Sequence, residues 1–253
     1  MSEKFDELVN IISRLRAPDG CKWDREQTHI SLKQNFIEET YEALDAIDDN
    51  DMKHLREELG DVLLQVVLHA QIAKEEGAFN IDDVAEGISK KLVHRHPHVF
   101  GDVKVSSTKE ILDNWEKLKK EEKPHRTSVM DGISASLPAL FGAYKISKKA
   151  VKVGFEWPNI ESLKTCIKSE FEEFEEAVNE NNQEHMEEEF GDILFAVVNL
   201  ARWYKINPEI ALSNANKKFI KRFKKMEELA TKPLEEYSFE EYDNLWKSAK
   251  KSL

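Results

Sequence analysis

Residues 39–70 recur as residues 170–201. At a constant offset of 131, with no gap, thirteen of the thirty-two positions are identical, including Glu39 with Glu170, Glu42 with Glu173, Glu58 with Glu189, Gly60 with Gly191 and Asp61 with Asp192. The closing segments match at the same offset, Ser107–Trp115 with Ser238–Trp246. A repeat of this length in 253 residues constrains the chain to two similar units rather than one large domain. Between the copies, residues 123–138 (KPHRTSVMDGISASLP) lose periodicity and gather Pro, Gly and Ser. The expected organisation is therefore a first domain over 1–122, a linker over 123–138 and a second domain over 139–253.

Each copy reads as helix. Charged residues make up 34% of the chain, with only 9 Gly and 7 Pro, and long segments have helical spacing without β alternation. The fold class is all-α: two tandem helical bundles. A net charge of −12 argues against a nucleic-acid binder, which needs a basic face to displace counterions. It does not argue against a nucleotide that arrives with a divalent cation. No apolar run approaches the roughly 20 residues of a membrane span, and MSEKFDELVN lacks a signal-peptide apolar region. A cytoplasmic protein without a membrane partner is expected. Cys21 and Cys166 lack CxxC spacing and read as plain thiols.

In order, Phe5, Leu8, Ile12 and Leu15 predict a first helix, stopped by Pro18–Gly20. A loop with Cys21, Trp23 and Asp24 leads to a helix from about Ser31 to Asp48, with Leu32, Phe36, Ala43 and Ala46 on one face. The next helix, Met52 to Glu75, should turn Leu55, Leu59, Val62, Val66 and Ala70 inward and end at Gly77. Asn80 should cap a fourth helix carrying Val84, Ile88 and Leu92, and a fifth runs from about Thr108 to Lys120. The second half repeats the order: an opening helix with Leu140, Ala143 and Ile146, then Glu161–Glu180, Glu184–Lys205, Pro208 to about Leu229, and a last helix with Trp246.

Residues three apart lie on nearly one helical face, so Glu39 with Glu42 and Glu58 with Asp61 present paired carboxylates. The short link at Asp49–Asp51 makes the two helices antiparallel neighbours, and four carboxylates converge in one groove. An ExxE pair alone is usually a solvated face. Here Glu39 and Glu170 interrupt apolar stripes, and the whole set occurs twice. Carboxylates crowded at a core edge repel one another and protonate unless a cation pairs with them. A hard divalent ion with oxygen ligands is the natural solution, and magnesium is the usual one where phosphates complete its shell.

EExxE followed by ExxD across two antiparallel helices resembles the MazG-type nucleoside triphosphate pyrophosphohydrolases. The stretches GCKWDREQTHISL, EELGDVLLQVVLHA, HRHPHVFGD and KVGFEWPN agree, over nearly the whole chain. The resemblance implies hydrolysis of nucleoside triphosphates between the α and β phosphates, giving monophosphate and pyrophosphate with Mg2+. It implies metal ligands at Glu170, Glu173, Glu189 and Asp192 and, in the first copy, at Glu39, Glu42, Glu58 and Asp61. Glu173, Glu189 and Asp192 would carry the catalysis, a carboxylate not used in coordination acting as base. Phosphate contacts fall on Lys218 and Arg222, with Lys91 and Arg95 as weaker counterparts, and a nucleotide contact falls on Trp246. Read without the resemblance, KKFIKRFKK is an ordinary charge run and Trp246 a packing residue. A homodimer is also implied. The chain departs from the family pattern at Lys22, where Pro is usual, and at Ser169, where the first copy keeps Glu38. The uninterrupted helix under Lys218 and Arg222 favours the second copy as the working one. His94, His96 and His98 read as phosphate-facing or solvated rather than as a metal cluster. The rival reading is a non-catalytic helical nucleotide sensor or regulatory protein.

Overall fold

The computed structural model describes residues 3–122 and 127–252. Residues 123–126, where the linker was expected to begin, lie outside the described residues. Among the described residues there are twelve α-helices, one 3-10 turn and no strand: α1 Glu3–Leu15, α2 Lys22–Glu26, α3 Lys33–Asp48, α4 Met52–Glu75, α5 Ile81–Arg95, α6 Pro97–Phe100, α7 Thr108–Glu121, α8 Ala139–Lys152, α9 Ile160–Asn179, α10 Gln183–Trp203, α11 Pro208–Leu229 and α12 Phe239–Lys251. They form two compact units, Met1–Lys123 and Pro124–Leu253. The all-α expectation is met. Two short helices, α2 and α6, occupy segments expected as loops.

The organising element of each unit is an antiparallel hairpin, α3–α4 in the first and α9–α10 in the second. Both hairpins turn on the same device. Asn50 and Asn181, identical at the offset of 131, adopt left-handed backbone with φ of 54° and 53°. The following amides, of Asp51 and Asn182, donate back to the carbonyls of Ala46 and Ala177 at 3.0 and 3.3 Å. This is the Schellman closure, and Asn tolerates the left-handed site better than most residues. Asp51 and Asn182 then cap the next helix with their side chains. Turn and cap together fix the register in which the carboxylates of the two helices meet.

In the first unit Ile12 of α1, Leu32, and Val67, Leu68 and Ile72 of α4 form the buried core. In the second, Leu163, Ala177, Ile193, Ala196 and Val198 are buried on α9 and α10. The inward face of α4 is only partly the expected one: Ala70 is buried and Leu55, Val62 and Val66 are half-buried. Leu59 is 53% exposed, whereas Glu58, Gln65, Leu68 and Ile72 are buried. Apolar residues surround α4, so periodicity alone left its rotation open, and the core stripe passes through Glu58. The same rotation recurs in α10, where Glu189 and Ile193 point in and Phe190 and Leu194 point out. Val84, Ile88 and Leu92 of α5 are also exposed, as is Phe36 of α3. Past the expected linker's start, the chain is already tied to the second unit. Lys149 on α8 donates to the carbonyl oxygens of Val129 at 2.8 Å and Asp131 at 2.6 Å.

Candidate metal centre

Each hairpin gathers three carboxylates. In the first, oxygens of Glu39, Glu58 and Asp61 all lie within 4.8 Å of one another; in the second, Glu170, Glu173 and Glu189 do. Three of the four expected residues thus meet in each copy, but not the same three. Glu42 is exposed and outside the first group, and Asp192 is exposed and outside the second. Both remain electrostatic neighbours. Glu42 helps raise the pKa of Glu39, and Asp192 helps raise that of Cys166.

The electrostatics follow from crowding. Burial first, then the charges of Asp61, Glu42, Glu58 and Glu38, push Glu39 above the ordinary glutamate range. Glu58 is 7% exposed, and its Oε2 is buried without a hydrogen-bond partner. A buried carboxylate oxygen left unsatisfied is costly unless something binds it. The donor set is all carboxylate oxygen, crowded and anionic, and it fits a hard divalent cation rather than a soft one.

Around these groups stand side chains that motif reasoning overlooked. His54 Nε2 lies 3.0 Å from Glu58 Oε1, and His185 Nε2 lies 3.1 Å from Glu189 Oε1. His185 Nδ1 is also 3.1 Å from Glu180 Oε2, and that contact, ahead of Glu189, raises the histidine's pKa. The signal was present in the repeat, since His54 and His185 are one of its thirteen identities. In the second copy Ser169 donates its hydroxyl to Glu173 Oε1 at 2.7 Å. The Cys166 thiol donates to Glu170 Oε1 at 3.2 Å, and burial above all pushes its pKa to about 11.

The expected phosphate contacts lie on α11, Lys218 exposed and Arg222 half-buried. Trp246 of α12 is half-buried, its ring 5.2 Å from that of Phe219, the neighbour of Lys218. In the first copy Lys91 is exposed, but Arg95 is committed to Glu122, with Nε to Oε1 at 3.0 Å and a second bond from Nη2 to Oε2. His96 turns Nδ1 to the carbonyl oxygen of Leu92 at 2.7 Å and packs near Trp115 and His98.

Comparison with known proteins places the chain in a family. The chain is 49% identical to the nucleoside triphosphate pyrophosphohydrolase/pyrophosphatase MazG of Thermotoga maritima, over 97% of this chain and 95% of that one. It is 43% identical to the nucleoside triphosphate pyrophosphohydrolase of Escherichia coli K12, over 98% and 97%. It is also 52% identical to the uncharacterized protein YabN of Bacillus subtilis, over 98% of this chain but 52% of that one. The MazG nucleotide pyrophosphohydrolase domain matches twice, at residues 27–100 and 159–227, each match spanning one carboxylate hairpin. On its repeated hairpins and its full-length relatives, the chain belongs to the MazG nucleotide pyrophosphohydrolase family.

Proposed function

We propose that this protein is a nucleoside triphosphate pyrophosphohydrolase that adds water at the α-phosphorus of an NTP or dNTP and releases monophosphate and pyrophosphate. The observation that carries the reading is the carboxylate triad built twice on identical turns, in a chain matching, along its length, a relative that bears this name. Glu170, Glu173 and Glu189, with Asp192 beside them, would hold magnesium in the second copy, and Glu39, Glu58 and Asp61, with Glu42 beside them, in the first. Bound there, the ion supplies charge neutralisation of the triphosphate and activation of water.

The chain's own residues do the rest. Asp192, exposed and outside the group of three, would accept the proton of the attacking water. Lys218 and Arg222, one turn apart on α11, meet the phosphate charge. Trp246, braced by Phe219, offers an aromatic face to the nucleotide without a base-reading hydrogen bond, in keeping with broad specificity and a housekeeping role in the nucleotide pool. The reaction is assigned to the cytoplasm, where that pool lies; no helix among the described residues is long and apolar enough to cross a membrane.

The protein works as a homodimer in this reading. Support comes from the apolar residues that both hairpins leave outward, Leu59 and Leu63 in one copy and Phe190, Leu194 and Val197 in the other. The test of function is product analysis on a panel of NTPs and dNTPs with magnesium. Monophosphate and pyrophosphate are expected; diphosphate with free phosphate would overturn the reading.

A further inference from the structure

Two histidines occupy one position in the two copies. His54 and His185 each stand three residues after the residue that caps the second site helix and four before its buried glutamate. Their backbone amides donate to Asp51 Oδ1 at 3.0 Å and to Asn182 Oδ1 at 3.3 Å, which anchors the first turn. The rings then reach one turn on, to Oε1 of Glu58 and of Glu189.

A histidine–glutamate pair four residues apart on an exposed helix ordinarily means little. Three observations set these apart. The carboxylates are nearly buried, with side chains 9% and 11% exposed, so each imidazole contact, 3.0 and 3.1 Å between Nε2 and Oε1, bears on a group that cannot turn to water. In the first copy, with one oxygen of Glu58 taken by the histidine, the other is left buried and without a partner. Finally, both copies carry this histidine, whereas other histidines of the first copy have no counterpart in the second. His29 and His69, whose Nδ1 atoms lie 2.7 Å apart, are answered by Ile160 and Leu200 in the second copy.

We infer that His54 and His185 are positioning residues, each donating its Nε2 hydrogen to one oxygen of a ligand glutamate so that the other oxygen is presented to the cation. A partner that holds a ligating carboxylate in one orientation lowers the cost of binding the ion, as outer-shell groups do in metal sites generally. The inference rests on the metal reading above. In the second copy the imidazole is itself held from behind by Glu180, making a carboxylate–imidazole–carboxylate chain that ends at Glu189.

The test uses the full chain and Mn2+ as a spin-active probe, titrated by electron paramagnetic resonance without nucleotide. Glu58→Gln disables the first copy, and the second is then read alone. On that background His185→Ala should weaken Mn2+ binding about tenfold, while His185→Gln, which keeps an N–H donor within reach, should stay within about threefold. Turnover lost in the alanine variant should return at high metal, with KM for the nucleotide unchanged. If the alanine variant loses its helical circular dichroism, His185→Asn, too short to reach Glu189, replaces it with the same expectation. Unaltered Mn2+ binding in the alanine or asparagine variant would overturn the role, as would equal losses in the glutamine variant. A Glu58→Gln/Glu189→Gln control separates the two readings: if it still binds Mn2+ tightly, the carboxylate site itself fails.

Discussion

The two copies share a hairpin and differ in what they place around it. Asn at the left-handed turn, alanine beneath it, two glutamates across the groove and a histidine behind one of them are common to both. The first copy draws Asp61 into its triad and leaves Glu42 outside; the second draws in Glu173, held by Ser169, and leaves Asp192 exposed. Glu38 stands where Ser169 does, adding negative charge beside Glu39 rather than a hydroxyl donor to the next carboxylate. The basic groups diverge as well, since Arg95 is occupied by Glu122 while Lys218 and Arg222 lie on the long helix α11. Duplication has kept the parts that fix the register and let the charge balance drift. A cation held by such carboxylates would tolerate exchange of one ligand, whereas a phosphate contact would not tolerate a cation spent elsewhere.

The largest effect should come from breaking one triad at a time. Glu189→Gln is expected to lower kcat for pyrophosphate release by about a thousandfold or more, and Glu58→Gln by less than about threefold. The reverse pattern would assign the chemistry to the first copy, and equal losses would make both work. Next, Arg222→Ala should lower kcat/KM about a hundredfold, if its contact forms with the phosphates of the reacting nucleotide. Lys91→Ala, at the equivalent position of the first copy, should leave steady-state turnover nearly unchanged.

A second contrast lies behind the site. Each copy ties the loop after its opening helix to the end of the second site helix by an arginine–glutamate fork, with the charges exchanged. In the first, Arg16 in the loop donates to Glu75 on α4 at 2.7 and 3.0 Å. In the second, Arg202 on α10 donates to Glu156 in the loop at 2.5 and 2.6 Å. The guanidinium in each case holds the glutamate below its ordinary pKa. A folded pKa below the unfolded one gives stability that is present above the unfolded value, about 4.3, and is lost as pH falls through the folded one. Arg202→Met should therefore cost about 2 kcal/mol at pH 7 in urea unfolding followed in the second copy, with the difference fading below about pH 4. Arg16→Met should cost at least as much, because the buried Arg16 guanidinium also donates to the carbonyl oxygens of Asp24 and Gln27. Costs that do not change with acid would show that packing, not charge, closes the loops.

Most of the helical frame could be read from the sequence because its signals are local. Asn80 was expected as a cap and makes a full capping box with Asp83, and α4 and α11 run over the spans that spacing and Pro208 suggested. Rotation about the helix axis was not legible for α4 and α10. Leucine and valine surround both, so which face turns inward depends on packing against α1 and α3, or α8 and α9, rather than on period. At the site, repetition exposed the glutamates, because carboxylates three apart on facing helices have few other reasons to recur. His54 and His185 were equally repeated, yet a single histidine at an intermediate position carries no spacing pattern; only the ring-to-carboxylate distance gives it meaning.

The smallest contrast is between the two thiols. Cys21 is exposed in the first copy, and Cys166 lies half-buried against Glu170 in the second. Burial and the carboxylates around it raise Cys166 to about 11, so at pH 8 only about a thousandth is thiolate, the nucleophilic form. Iodoacetamide at that pH should label Cys21 and leave Cys166 nearly untouched, as peptide mass analysis would record. Because the same carboxylates would bind a cation, adding Mn2+ should remove part of the repulsion that disfavours the thiolate. Labelling of Cys166 should then rise severalfold, provided the ion does not block access to the sulfur. A fast reaction at Cys166 without metal would mean that neither its burial nor the charges of Glu170, Glu173 and Asp192 hold back the thiolate. It would remove the electrostatic distinction between this corner of the second copy and its counterpart at Asn35, where no thiol stands.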